Sequence, residues 1–537
     1  MQYFIGVDVG TSSARAGLIQ STEAGGKLVS YHAEEIEIFR PQSEYFEQSS
    51  ANIWQKVCEC VKKVAVAVPK EEIAGIGFDA TCSLVLFDKD SNPLTVSPTG
   101  KNDQNIIMWL DHRARDEAAF INSKKHDILK YVGGQVSLEM EIPKLLWLKR
   151  NCNETFQKIH LAFDLPDFLT WRATKNDSRS ICSAVCKWNY DAVKGAWADD
   201  FFKAIGLEEL AVNDFFKIGS KILYPGDRVG GLCDDAAKAM GLMPGTPVGG
   251  SMIDAHGGAL GLIAARSEQL GSEMTSKLIL IAGTSTCHMS ITENCLFSPG
   301  IWGPYKHALL PNYYLIEAGQ SAAGLLIDHC LKGHQDYKKF TSDLKEGENI
   351  YDRLYNGIVE LGSSLKSLHE LSMDFHVYPD FHGNRSPIGD SSLKGQFSGC
   401  TMHDSIYVAY LAVIQALAYQ TKHIIEVLYK SGRSEFKTIL ICGGLSKNKL
   451  FITTMADVCG IPVSISDESE SVLLGAAMLG ATASGLYKDL ETAAKELSNS
   501  CHQIAPDSKS FDFHARKYKV FLKMLADQQE YSKIMHE

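Results

Sequence analysis

The apolar positions at the start of the chain change rhythm at a turn. "YFIGVDV" is apolar and β-branched, "GTSS" is turn-forming and "ARAGLIQ" is again apolar, so Tyr3 to Gln20 predicts a strand, a tight turn and a returning strand. In "NIWQKVCECVKKVAVAV" the period lengthens. Ile53, Val57, Val61, Val64 and Val68 share one face of a predicted helix. "IAGIGFD" and "SLVLFD" then return to strand character. Strands and helices in alternation predict an α/β protein.

The opening pattern recurs far downstream. "LILIAGTSTCHMSI" has the shape of "IGVDVGTSSARAGL": a β-rich run, a Gly-Thr-Ser turn and a second β-rich run. This echo predicts two domains sharing one architecture. The stretch "GLIAARSEQLGSEMTSK" between them is polar, and the boundary is placed inside it, giving halves 1–268 and 269–537. "DSIYVAYLAVIQALAYQTKHIIEVLYKSG" predicts a long helix stopped by Ser-Gly. "FKTILICGG" predicts a strand entering a Gly-Gly turn, and "SKNKLFITTMADVCG" the helix that follows. "VLLGAAMLGATASG" predicts a helix of small residues suited to close packing. Beyond about Leu490 the pattern is helical and charged, without a chemical motif.

Composition narrows the function classes. The chain has 537 residues, 45% of them hydrophobic, enough for more than one core. The net charge is −11 and the charges are interspersed, with no basic block for nucleic acid and no basic amphipathic segment for a membrane surface. No apolar run reaches membrane-spanning length and the N-terminus lacks a leader pattern, so a soluble, cytoplasmic protein is expected. Fourteen Cys are scattered, and "CEC" and "CSAVC" lack partners at zinc-site spacing, so they read as reduced structural thiols. His112, His256, His288 and His382 read as packing or hydrogen-bonding residues.

The chemistry concentrates at the two glycine turns. A turn without a Walker Lys can still hold phosphate through backbone N–H groups, with a divalent cation cancelling charge. Gly10 permits the first turn, Thr11, Ser12 and Ser13 offer donors, Arg15 offers a cation and Asp8 offers a carboxylate for Mg²⁺. Gly283, Thr284, Ser285 and Thr286 repeat the arrangement, so two turns could grip a triphosphate from both sides of a cleft. In "PVGGSMIDAHGGALGL", Asp254 follows an apolar strand-like run and precedes small residues that let another group approach. That position suits a general base for phosphoryl transfer, and equally a helix N-cap.

The ordered set "GVDVGTSS", "MWLDHRA", "IDAHGG", "GTST", "EAGQSAAG", "DFHGNRSP" and "ICGGLSKNKLF" resembles the FGGY family of carbohydrate kinases over residues 1 to about 485. The resemblance implies two ribonuclease H-like domains of the actin/Hsp70 ATPase type, with sugar deep in the cleft between them. MgATP would be held mainly by the second domain. It implies Asp8 as the Mg²⁺-associated carboxylate, Asp254 as catalytic base, and Gly443, Gly444 and Asn448 as an adenosine motif. Trp109 and Asp111 resemble a sugar-side aromatic and carboxylate, and Lys187 and Glu317 resemble ribulokinase residues that contact the ketose. Thr81, in "FDATCS", stands where family members line the pocket. That stretch departs from the Arg-Glu pair of glycerol kinases and the Met-His pair of xylulokinases. A pentulose, D-ribulose first, is therefore expected, with L-ribulose, ribitol or D-xylulose as alternatives and a non-catalytic sugar sensor as the rival class. Sugar and ATP are the implied partners, and a homodimer is among the assemblies the family allows.

Overall fold

A computed structural model describes residues 2–267, 271, 273–345 and 347–536. Two seven-stranded mixed sheets dominate it. In the first, Tyr3–Val9 pairs antiparallel with Ser13–Thr22, which pairs with Gly25–Glu35; on its other side Tyr3–Val9 runs parallel to Ile73–Ala80. Pro247–Gly249 and Met252–Ile253 continue the sheet beyond Ile73–Ala80. The second sheet repeats this plan. Lys277–Ala282 pairs antiparallel with Thr286–Thr292 and parallel with Thr438–Cys442, and Tyr314–Gln320 takes the place of the third strand. The echo in sequence is thus an echo in topology.

The predicted elements form for the expected reasons. Ser49 caps the Ser50–Ala65 helix, which buries Ile53, Val57, Val61 and Val64 completely; Val68 lies past its end and is half-buried. The long helix runs Ile406–Lys430, started by the Ser405 cap. Leu84–Phe87 is a strand as expected, but it belongs to a separate four-stranded sheet with Glu47–Gln48, Ile106–Ile107 and Leu161–Asp164. Among the described residues no helix is long and apolar enough to cross a membrane. The expected boundary between residues 268 and 269 lies outside the described residues.

The small-residue helix, Ser471–Ala483, does what its composition suggests, on an unexpected partner. It lies across the N-terminal sheet and against the Asp254–Ile263 helix. The two helices approach to backbone contact: a Cβ on Gly475 would sit 1.9 Å from the Gly257 carbonyl oxygen. An element from the C-terminal half thereby fixes the helix that Asp254 begins.

Candidate active site

Three parallel strands, Tyr3–Val9, Ile73–Ala80 and Met252–Ile253, end together, and carboxyl ends of parallel strands are where α/β proteins place ligands. Register sets Asp8 beside Asp79 and Ile253 beside Ala80, so Asp254 emerges one residue beyond. Asp254 is not an N-cap. It is the first residue of its helix, Ile253 holds the cap position, and its Oδ1 accepts the Ala255 N–H at 2.7 Å. Burial and then the charge of Asp8 push its carboxyl up to about 7, against the pull of the Ala255 N–H, Lys187 and Arg15. Its surroundings therefore favour the protonated form far more than water does.

Asp79, which the sequence reading passed over, completes the cluster. It is fully buried, and among the described residues no group other than the neighbouring Asp8 carboxyl is placed to hydrogen-bond its carboxylate oxygens. Burial, then Asp8 and Asp254, hold it well above the usual carboxylate range. Gly257 makes room for it, since a Cβ there would lie 2.1 Å from Asp79 Oδ2. An acid inside the apolar strand "IAGIGFDA" was the available signal. Asp8 is also buried; Arg15 ion-pairs with its Oδ2, while its Oδ1 is unpartnered. Arg15 reaches Glu470 as well, at 3.6 Å, so its charge is first spent on carboxylates rather than offered to phosphate.

Both glycine turns form. The Gly10 N–H donates to the Ser13 carbonyl at 3.0 Å, and the Gly283 N–H to the Ser285 carbonyl at 2.9 Å. Ser12 and Thr284 are the exposed tips. The Gln48 side chain holds the Thr11 carbonyl at 3.0 Å, and the first N–H groups of the Gly324–Gly333 helix hold the carbonyls of Gly283 and Thr284. With those acceptors occupied, the turns present donors, the arrangement an anion needs. Gly443 sits at the end of Thr438–Cys442, the parallel neighbour of the strand leading into the second turn. Its φ is +87°, and a Cβ there would lie 2.5 Å from the Ala282 carbonyl oxygen, so only glycine fits; Gly444 beside it is exposed and open. Asn448 has another duty. Its Oδ1 caps the Lys449–Cys459 helix through the Phe451 N–H, and its Nδ2 donates to Tyr410 at 2.7 Å, which fixes the amide in place.

The expected sugar-side residues divide into two groups. Thr81, Lys187 and Glu317 come together with Asp254. The Thr81 hydroxyl is buried without a partner, while its N–H is fixed on the Val9 carbonyl at 2.9 Å. Lys187 is buried, 4.0 Å from Glu139 and 4.9 Å from the centre of the Trp302 ring. Burial opposes its charge, but Cys82, Glu317 and Glu139 hold it firmly protonated. Glu317 is buried with Oε2 unpartnered, and burial raises its carboxyl despite Lys187. Glu139 and Arg385 were not singled out individually; Arg385 Nη2 donates to Glu139 Oε1 at 2.6 Å. Arg385 comes from "DFHGNRSP", whose loop is tied down by Asp380, which accepts from Asn384 at 2.8 Å and Gln420 at 2.7 Å.

Trp109 lies toward the phosphate side, its Nε1–H donating to Thr11 Oγ1 at 3.1 Å. Asp111 does not fit the sugar-side role expected of it. Its carboxylate is buried and accepts from the Phe46 N–H, the Arg113 N–H and the Arg113 guanidinium at 2.7 to 2.9 Å. Arg113 also reaches Glu47 at 2.8 Å, making a closed buried network with no free acceptor on Asp111.

This assembly of strand-end carboxylates, paired anion turns and a buried polar pocket has recognisable relatives. The N-terminal domain model of the FGGY family of carbohydrate kinases matches residues 3–261, and the C-terminal domain model matches residues 278–484. The chain is 45% identical over 547 residues to the FGGY carbohydrate kinase domain-containing protein of Homo sapiens, covering all of this chain and 98% of that one. It is 38% identical over 519 residues to the D-ribulokinase of Saccharomyces cerevisiae, covering 90% of this chain and 72% of that one. Among solved structures, the xylulose kinase of Rhodospirillum rubrum superposes with a TM-score of 0.80 at 19% identity, over 99% of both chains, so the two share the two-domain fold of the actin/Hsp70 ATPases. The chain belongs to the FGGY family of carbohydrate kinases.

Proposed function

We propose that the chain transfers the γ-phosphoryl group of ATP to the terminal hydroxyl of a pentulose in the cytoplasm, with D-ribulose giving D-ribulose 5-phosphate as the preferred reaction. The observation that carries this reading is the meeting of three strand-end carboxylates, Asp8, Asp79 and Asp254, with the buried polar side chains of Thr81, Lys187 and Glu317. Likeness to a protein named D-ribulokinase supports the pentulose.

The donor set fits a divalent cation: Asp8 offers one oxygen and Asp79 two that, among the described residues, no group outside the pair is placed to hydrogen-bond. Those two residues would hold Mg²⁺, which neutralises phosphate charge when bound with ATP. The turns at Gly10–Ser13 and Gly283–Ser285 bind the phosphates through their N–H groups and hydroxyls. Gly443 and Gly444 let the nucleoside lie against backbone. Thr81, Lys187 and Glu317 orient the sugar hydroxyls, with Trp109 closing the phosphate side. Asp254 accepts the proton of the attacking hydroxyl late in the reaction, as the loose transition state develops.

Coupled ADP release with MgATP against D-ribulose, L-ribulose, D-xylulose, ribitol and glycerol tests the assignment. Selective turnover of D-ribulose is the expected result. Turnover of another polyol would keep the kinase and overturn the choice of sugar, and none at all would favour the sensor.

A further inference from the structure

Beside the sugar pocket lies a second constellation. Cys182 and Cys186 stand one turn apart on the Ile181–Lys187 helix, and His256 faces them from the helix begun by Asp254. All three are fully buried, and their two thiols and one imidazole nitrogen lie within 4.8 Å of one another. Cys186 Sγ is 3.6 Å from His256 Nε2, which is 3.8 Å from Glu317 Oε2, the oxygen without a hydrogen-bond partner. In a tetrahedral zinc site, with Zn–S about 2.3 Å and Zn–N about 2.0 Å, neighbouring ligand atoms stand roughly 3.3–3.8 Å apart. The sequence hid this set because the partners of "CSAVC" are far along the chain.

We propose that Cys182, Cys186 and His256 form a zinc(II) site beside the sugar-side residues, with Glu317, 3.8 Å from His256, drawn in as fourth ligand when the metal binds. Two thiolates, one carboxylate and the cation sum to a single negative charge, which the adjacent Lys187 ammonium offsets. If Glu317 contacts the sugar, as the proposed function has it, metal and sugar compete for one carboxylate and zinc is an inhibitor of turnover.

Cobalt(II) titration of the reduced full-length protein tests the site, because thiolate ligation gives a near-ultraviolet charge-transfer band. One equivalent of Co²⁺ should produce the band, Zn²⁺ should displace it, and Cys182→Ser and Cys186→Ser should each lose it. Zinc should also shield both thiols from alkylation in the wild-type protein, a readout that needs no variant to fold. No band and no shielding would overturn the site, as would a band that survives in both variants. A band weakened by D-ribulose supports the shared carboxylate. A band indifferent to D-ribulose in a protein that phosphorylates it overturns the competition. A band without turnover of any sugar upholds the metal site and counts against the kinase reading alone.

Discussion

Asp254 has to be proton-free to act as a base, yet its surroundings favour the proton. Burial and Asp8 raise its carboxyl to about 7, whereas a model aspartate titrates near 3.9. The reactive form is the ionised one, so kcat/KM at sub-saturating MgATP and sugar should fall about tenfold per unit as pH drops below 7. An unperturbed aspartate would leave that profile flat to about pH 5, which would contradict the assignment. The inflection in kcat should lie lower, because a cation beside Asp8 and Asp79 favours the ionised form. Asp254 was legible in sequence as a candidate base, being an acid at the end of an apolar run before glycines, although the same position suits a helix N-cap. The structural bonds of Asp111 and Asn448 were not legible because their partners are remote: Phe46 holds the first and Tyr410 the second, and local spacing does not record either contact.

At the scale of elements, the site depends on two helices whose backbones touch. The Ser471–Ala483 helix can press on the Asp254–Ile263 helix only because Gly475 and Gly261 carry no side chains at the crossing, where a Cβ on Gly261 would lie 2.1 Å from the Ser471 carbonyl oxygen. Gly475→Ala forces a Cβ to within 1.9 Å of a carbonyl oxygen. The helices must separate, at a cost of about 1–3 kcal/mol, read as a lower urea midpoint with unchanged slope. Turnover should fall by more than the loss of folded protein explains, since Asp254 moves with its helix; a variant with wild-type midpoint and kcat would contradict this packing account. Small residues announced close packing in the sequence. The partner surface was illegible, because composition says that a helix can approach closely and not what it approaches.

Across the whole molecule, groups from both halves meet beside the candidate site. Arg385, from the C-terminal half, bonds Glu139, from the N-terminal half, and Lys187 stacks on Trp302. Removing one partner of such a pair strands the other charge. Arg385→Met should therefore raise KM for the sugar at least about tenfold and increase the share of ATP hydrolysed without sugar, as closure excludes water less well. Initial rates with and without sugar check both, and an unchanged KM would make the pair a bystander. The doubled architecture was visible as one repeated turn, because both sheets start from the same hairpin. The pair joining the halves was not, since Glu139 and Arg385 meet across 246 positions of chain.

The most direct measurement compares wild type with Asp254→Asn, which keeps the shape and removes the basic carboxylate. MgATP affinity by calorimetry is measured alongside D-ribulose-dependent ADP release. Nucleotide binding within a few-fold of wild type, with turnover reduced by about 10²–10⁴, is the predicted result. Turnover within tenfold of wild type in a folded, nucleotide-binding variant would remove Asp254 from the base role and with it the proposed route of proton transfer.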